Sequence, residues 1–304
     1  MEKYDFIIIG AGVAGLAGAI YSARVGMKTV CLGENLGGAI TQADKVENYP
    51  GFESISGAEL AEKIRKHAES YENAEIRKEE VEEVSKNEKG FVVKSDKEVY
   101  NAKSILFATG TKWRKLEIPG AKELEGKGIS YCALCDAPLF KNKIVAVIGG
   151  SDSAAKEALV LAEHAKKVYI IYRGEKIHPE SANMEKIKKN KKIEIINKTN
   201  LAEVKGKNIV ESVVLDKEYL GKKELKLDGV FVSIGHIVLS ELADKLGVKI
   251  NEKDEIITDK LGKTNIDGVY AAGDVTDTKI KQVVTGVALA CIAANSAFEF
   301  VTKK

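Results

Sequence analysis

Twice along this chain a wholly apolar run of strand length breaks at a glycine-rich turn and passes into a helix of small residues. That repeat limits the possible folds more than any other feature. The first instance runs from Phe6 to Ile9, through Gly10-Ala11-Gly12-Val13-Ala14-Gly15, into a helix over about Val13 to Arg24; Thr29 to Leu32 then reads as the next strand. Strands without polar alternation are buried on both faces, as in parallel sheets. The three glycines serve different ends, since Gly10 permits the tight turn, Gly12 lets backbone approach a pyrophosphate, and Gly15 lets the helix pack close to the strand. The helix amino terminus then offers free N–H groups to phosphate. The second instance is Lys143 to Ile148, the turn Gly149-Gly150-Ser151-Asp152-Ser153-Ala154, a helix to His164, and a strand from Lys167 to Tyr172.

A third feature lies between the two turns. The pair in Cys132-Ala133-Leu134-Cys135-Asp136 can relay two electrons as a disulfide opens and closes, so two dinucleotide cradles flanking a dithiol point to electron transfer. Half a zinc site is the competing reading. Cys31 and Cys291 form no second pair and His67, His164, His178 and His236 are scattered, so no metal is expected.

With 304 residues, 44% of them hydrophobic, the chain is long enough for about two domains. Its 47 basic and 45 acidic residues lie in no long block of one sign, which gives no reason to expect a nucleic-acid partner. No apolar run approaches the roughly 18 residues of a membrane span, and the amino terminus lacks the pattern of a secretory signal. A reducing, cytoplasmic setting is expected.

The expected architecture is α/β, with two Rossmann-like dinucleotide-binding domains, the second inserted into the first. Glu75 to Tyr100 alternates polar and apolar residues in short pieces and reads as an antiparallel meander rather than another βαβ repeat. Lys112 to Pro119 and Gly235 to Ser240 read as linkers. The strand ending at Gly273-Asp274 and a long helix from about Lys279 to Thr302 carry no complete nucleotide motif, so they are expected to fold back onto the first domain. The domains are then 1–113 with 241–304, and 114–240.

With these motifs in view, the chain resembles the low-molecular-weight thioredoxin reductases from end to end. The resemblance is carried by Gly10 to Gly15, Val46 to Gly51, Ala108-Thr109-Gly110, Cys132 to Asp136, Ile148 to Ala154, Ile234-Gly235-His236 and Ala271 to Asp274. It implies an FAD domain interrupted by a nicotinamide-binding domain that carries the dithiol. It also implies a homodimer that reduces the disulfide of a thioredoxin- or glutaredoxin-like protein. Cys135 would exchange electrons with the flavin, Cys132 would attack the substrate disulfide, and Asp136 would manage the thiol protons. Toward FAD, the resemblance assigns Gly10, Gly12, Ala14 and Gly15 to the cofactor cradle, and Gly37, Gly38 and Thr41 to a loop along the cofactor. Asn48, Ala108, Thr109 and Gly110 join the site, Gly273 and Asp274 meet the ribityl chain, and Lys281, Gln282 and Val283 open a helix toward the flavin. Because the nicotinamide site and the dithiol would share one domain, the two domains are expected to rotate during turnover.

Several positions depart from the family pattern. Gly33 holds the place where many such flavoproteins put a ribose-binding acid, with Glu34 one residue on. In the nicotinamide site, Gly149, Gly150, Asp152, Ser153 and Ala154 keep the motif, but Ser151 replaces its middle glycine. Where NADPH-using relatives place several arginines, this chain reads Tyr172-Arg173-Gly174-Glu175-Lys176-Ile177-His178, followed much later by Gly235. Glu175 would repel a 2′-phosphate or accept a ribose 2′-hydroxyl. The donor is therefore NADPH or NADH, with a ferredoxin-type carrier as an alternative, and a flavin-dependent dithiol oxidase is a further reading of the same parts.

Overall fold

The computed structural model describes residues 2–43 and 45–303, and the chain divides into two compact units, Met1–Lys112 with Ile237–Lys304, and Trp113–His236. In the first unit the strands β1 (Glu2–Ile9), β2 (Thr29–Leu32), β3 (Ala74–Arg77), β4 (Val81–Asn87), β5 (Gly90–Ser95) and β6 (Val99–Phe107) form a sheet in the order β3-β2-β1-β6-β5-β4. Helix α1 (Val13–Arg24) crosses from β1 to β2, and α2 (Gly57–Glu69) from β2 to β3. A short strand β7 (Thr111–Trp113) leads into the second unit.

There β8 (Ile129–Ser130) is followed by the one-turn helix α3 (Ala133–Asp136), then β9 (Ile144–Ile148), α4 (Asp152–His164), β10 (Lys167–Tyr172), α5 (Ser181–Lys189) and β11 (Ile193–Asn197). An antiparallel sheet of β12 (Leu201–Lys205), β13 (Ser212–Tyr219) and β14 (Lys222–Lys226) precedes β15 (Gly229–Val232). The parallel sheet of this unit has the order β11-β10-β9-β15-β8. The chain leaves through β16 (His236–Val238), which pairs with β7, and finishes in the first unit with α6 (Glu241–Lys245), β17 (Val269–Ala271) and α7 (Val283–Thr302).

The period of two along each central strand explains both cores. In β1, Phe6 and Ile8 face α1 and α7, together with Leu106 and Tyr270, whereas Ile7 and Ile9 face the opposite side with Phe91, Val93 and Phe107. All of these residues are buried, which is why the strand reads as unbroken apolar sequence. The second unit repeats the division: Val145 and Val147 of β9 join Ala155, Ala158 and Leu161 of α4, while Ala146 and Ile148 join Val204, Val213 and Leu215 of the antiparallel sheet.

Two expectations are corrected. Residues 74–77 are not the start of a meander: β3 pairs in parallel with β2, Thr29 opposite Ala74 and Leu32 opposite Arg77. As an edge strand with only Ala74 buried, it lacks the continuous apolar run that marks its neighbours, and the antiparallel meander is made by β4, β5 and the first part of β6. Helix α7 also contradicts the absence of any long apolar run, because its 20 residues reach a mean hydropathy of 1.6, long and apolar enough to cross a bilayer. Its alanine face, Ala290, Ala293, Ala294 and Ala297, is instead buried against Ala14 and Ala17 of α1.

Close packing of helix on strand requires the small residues of α1. A Cβ added at Gly15 would strike the Gly10 carbonyl oxygen, and one at Gly18 would lie 3.0 Å from Leu106 Cδ2. Gly15→Ala is expected to lower stability by about 1–3 kcal/mol, because the obstacle is backbone that cannot swing aside. Urea unfolding of the two proteins, compared by midpoint at unchanged slope, checks this.

Candidate active site

The first unit assembles its glycines around the amino terminus of α1. Gly10 has φ +109°, a conformation that favours glycine, and a Cβ there would run into the Ala108 carbonyl group and the Thr109 nitrogen. Gly37 N–H donates to the Ala11 carbonyl at 2.7 Å, and Gly38 approaches so closely that its added Cβ would sit 2.9 Å from Gly12 Cα. Thr41 Oγ1 donates to the Gly38 carbonyl at 2.8 Å and fixes the turn that follows. At Gly12 itself the nearest atom to an added Cβ is Gly38 Cα at 3.7 Å, so the side a phosphate would use is open. No side chain caps α1, which leaves its first-turn N–H groups for an external acceptor. This cradle fits a dinucleotide pyrophosphate.

Other expected positions converge on the same place. Gly273, at φ +81°, packs on Ala14, with 3.0 Å between an added Cβ and Ala14 Cβ, so Asp274 follows directly beside the cradle. Thr109 Oγ1 donates to the Leu239 carbonyl at 2.6 Å, and the Gly110 carbonyl accepts from Leu239 N–H at 3.1 Å. Gly33 is explained by space: a Cβ there would lie 2.8 Å from Ala11 Cβ and strike the Ala11 nitrogen, and Glu34 beside it is exposed. The opening of α7 is one turn later than its sequence implies. Val283 is its first helical residue and Gln282, at φ −133°, is its cap, with the Gln282 N–H donating to Thr285 Oγ1 at 3.1 Å. Asn48 Nδ2 donates to Gln282 Oε1 at 2.9 Å and ties the 46–55 loop to that cap. Lys281 lies before the helix, and its ammonium turns to backbone, donating to the carbonyls of Asp274 and Thr276 at 2.8 Å each.

In the second unit Cys132 and Cys135 form a disulfide with Cα atoms 5.3 Å apart. Cys132 caps the single turn of α3, its carbonyl accepting from Cys135 N–H at 3.2 Å and Asp136 N–H at 3.1 Å. Sequence reading missed Ser130. This buried residue of β8 donates its hydroxyl to Asp136 Oδ2 at 2.5 Å and accepts from Cys132 N–H at 3.2 Å, so it joins the carboxylate to the turn that carries the sulfurs. Both cysteines are half-buried, while Leu134 and Leu139 are 65% and 53% exposed.

The second glycine turn is differently furnished. Gly149 has φ +149°, and Ser151 caps α4 in an extended conformation without spending its hydroxyl on the helix, so that helix start also keeps free N–H groups. The ring of Tyr172 lies directly on the turn. Its carbons come 2.5–2.6 Å from a Cβ added at Gly150, and Cε1 lies 2.5 Å from one added at Gly174. Asp152 faces away, its carboxylate held by Asn183 Nδ2 and Glu180 N–H, and the Lys156 ammonium at 2.7 Å holds its pKa down at about 2. His178 N–H donates to the Gly150 carbonyl at 2.8 Å, Arg173 is exposed, and Glu175 pairs with Lys198 at 2.6 Å. Ser153 is exposed, Ala154 is buried under the turn, and Gly235 at φ +93° accepts from Arg114 N–H at 3.1 Å.

Glu157 of α4 is a second residue that no motif marks. Its Oε2 is buried without a hydrogen-bond partner, and burial, opposed only by the Ser233 hydroxyl, raises its pKa from the usual 4.5 to about 8. The folded chain keeps this proton where the unfolded chain has lost it, so Glu157 subtracts stability as pH climbs from about 4.5 to about 8. Glu157→Gln is expected to flatten that decline, raising the melting temperature relative to the parent at pH 8 more than at pH 5. Thermal scans at the two pH values measure it.

Comparison with known proteins agrees with this assembly. Residues 4–290 match the family described as pyridine nucleotide-disulphide oxidoreductase. A thioredoxin reductase of Bacillus subtilis (strain 168) is 39% identical over 303 residues, covering 98% of this chain and 95% of that protein. One from Peptoclostridium acidaminophilum is 40% identical over 307 residues, covering 98% and 97%. The crystal structure of thioredoxin reductase from Streptococcus pyogenes MGAS5005 matches with a TM-score of 0.93 at 31% identity, covering 99% of each chain. With the cradle geometry, these matches identify a flavoprotein oxidoreductase that uses FAD and a nicotinamide donor. The chain belongs to the pyridine nucleotide-disulphide oxidoreductase family.

Proposed function

We propose that this protein reduces the disulfide of a thioredoxin-like protein, taking two electrons from a reduced nicotinamide. The observation that carries the reading is the Cys132–Cys135 disulfide, half-buried on a one-turn helix, in a chain similar over nearly its whole length to thioredoxin reductases. When bound, FAD supplies the two-electron chemistry that links a nicotinamide to a disulfide. Gly12 and the free N–H groups of the first turn of α1 would hold its pyrophosphate, with Gly10 and Gly15 shaping the turn, Asp274 would hold its ribityl chain, and Cys135 is the sulfur assigned to its side.

The reduced pair then acts by exchange. Cys132 thiolate attacks one sulfur of the substrate disulfide, forming a mixed disulfide and releasing one substrate thiolate; Cys135 thiolate attacks Cys132 sulfur, re-forming the internal disulfide and releasing the second. Both substrate thiolates are protonated, and Asp136 is the residue within the loop that carries protons to and from sulfur. Ser130 positions it. The exposed apolar side chains of Leu134, between the two cysteines, and Leu139, just after them, suit a partner whose own disulfide is rimmed by apolar residues, whether thioredoxin- or glutaredoxin-like. A homodimer working in the cytoplasm completes the proposal.

Donor choice follows from the rim of the second glycine turn. Tyr172 covers Gly174, where an arginine would be needed, and Glu175 brings a carboxylate held by Lys198, an arrangement that suits a ribose 2′-hydroxyl better than a 2′-phosphate. NADH is therefore the proposed donor. Anaerobic rapid mixing is expected to bleach the flavin faster with NADH than with NADPH, and equal or faster bleaching by NADPH would refute the assignment. Absence of bleaching by either would instead favour a ferredoxin-type donor. Cys132→Ser is expected to abolish turnover of a thioredoxin disulfide, and full turnover by that variant would reject the mechanism. Ser130→Ala should slow exchange by about tenfold, and Asp136→Asn by roughly a hundredfold, with both altering the pH–rate profile.

A further inference from the structure

Lys281 stands at the entrance to α7, beside the residues assigned to the flavin, but its charge is spent elsewhere. An ammonium has three N–H donors. Here they meet the Asp274 carbonyl at 2.8 Å, the Thr276 carbonyl at 2.8 Å and Glu255 Oε1 at 2.9 Å. The pair is largely out of solvent, with side-chain exposures of 21% for Lys281 and 10% for Glu255. Glu255 is itself tied down: its second oxygen accepts from Asn251 Nδ2 at 2.8 Å, and its backbone N–H donates to Asn251 Oδ1 at 3.1 Å. The neighbouring backbone repeats the connection, since Ile256 N–H donates to the Val275 carbonyl at 2.9 Å and Asp277 N–H to the Ile256 carbonyl at 3.1 Å. The segment from Asn251 to Ile256 therefore grips the turn from Gly273 to Lys281 at several points, and that turn rests on Ala14 in the first turn of α1.

We propose that Lys281 and Glu255 are positioning residues: together they clamp the Asp274 turn against the cradle, and Lys281 serves the flavin through that turn rather than by touching it. The inference rests on FAD occupying the cradle of the first unit. A buried ion pair that loses one partner leaves an uncompensated charge, so each half of the clamp should be sensitive to removal of the other. Arginine has donors enough to reach the same carbonyls and the same carboxylate, so the function should survive that exchange.

The test is the rate at which full-length holoenzyme releases FAD after dilution, followed by the rise in flavin fluorescence. Lys281→Met is expected to release FAD about tenfold faster than the parent, and Lys281→Arg within about threefold of it. Glu255→Gln should also accelerate release, and the double variant Glu255→Gln with Lys281→Met should be no faster than Lys281→Met alone, because the two act as one unit. Release from Lys281→Met at the parent rate overturns the clamp. So does an arginine variant as leaky as the methionine one, which would make the ammonium a direct cofactor contact. If Lys281→Met does not fold, Glu255→Gln carries the same test: unchanged release overturns the proposal. A parent protein that takes up no FAD at all overturns the cofactor assignment as well, and so is told apart from failure of the clamp.

Discussion

Backbone meeting backbone without side chains between them is the constraint on which the first unit depends. Gly10 faces Ala108, Gly15 faces Gly10, Gly33 faces Ala11, and Gly38 faces Gly12, each so close that one added carbon would collide or press. These approaches bring the carboxyl ends of β1, β2 and β6 together and set the start of α1 over them. The same closeness makes the helix poor in large side chains and hands the burial of apolar surface to the sheet. Phosphate affinity and core packing are thus produced by one set of absent side chains, and neither can be changed alone.

The second unit solves the same problem with different chemistry. Its strand–turn–helix frame is the same, yet the turn at Gly150 is covered by the Tyr172 ring and its flank carries Glu175 paired with Lys198. The frame is a matter of backbone geometry and tolerates few substitutions, whereas the rim that selects a nucleotide is made of exposed side chains and tolerates many. That contrast explains why one half of the chain keeps to the pattern of its relatives and the other departs from it.

Much of this was readable from the sequence because the signals were local. Unbroken apolar runs located β1, β2, β9 and β10, and the glycine spacing located both turns. The cysteine pair needed no fold at all. What escaped reading was whatever depends on contacts distant in sequence or on weak periodicity. β3 alternates because it is an edge, and alternation does not distinguish a parallel edge strand from a hairpin. Ser130 looks like any strand residue until its hydroxyl is seen between Asp136 and the Cys132 amide. Glu157 looks like an ordinary helix-surface acid, and Glu255 lies in a segment that carries no motif and meets Lys281 only through the fold. The extent of α7 was legible but its apolar character was not, because Thr285, Gly286, Asn295 and Ser296 interrupt every apolar run along it.

β6 presents a single edge that two partners divide: its first half pairs with β5, and its second half with β17. β17 and α7 are made only after the entire contiguous second unit. During synthesis, therefore, the inserted unit has all its strands while the earlier one still has an open edge at Ile105 to Phe107 and an uncovered α1. Order of manufacture and order of completion run opposite ways, and a ribosome-bound chain must hold its first-made surface unfinished until α7 emerges.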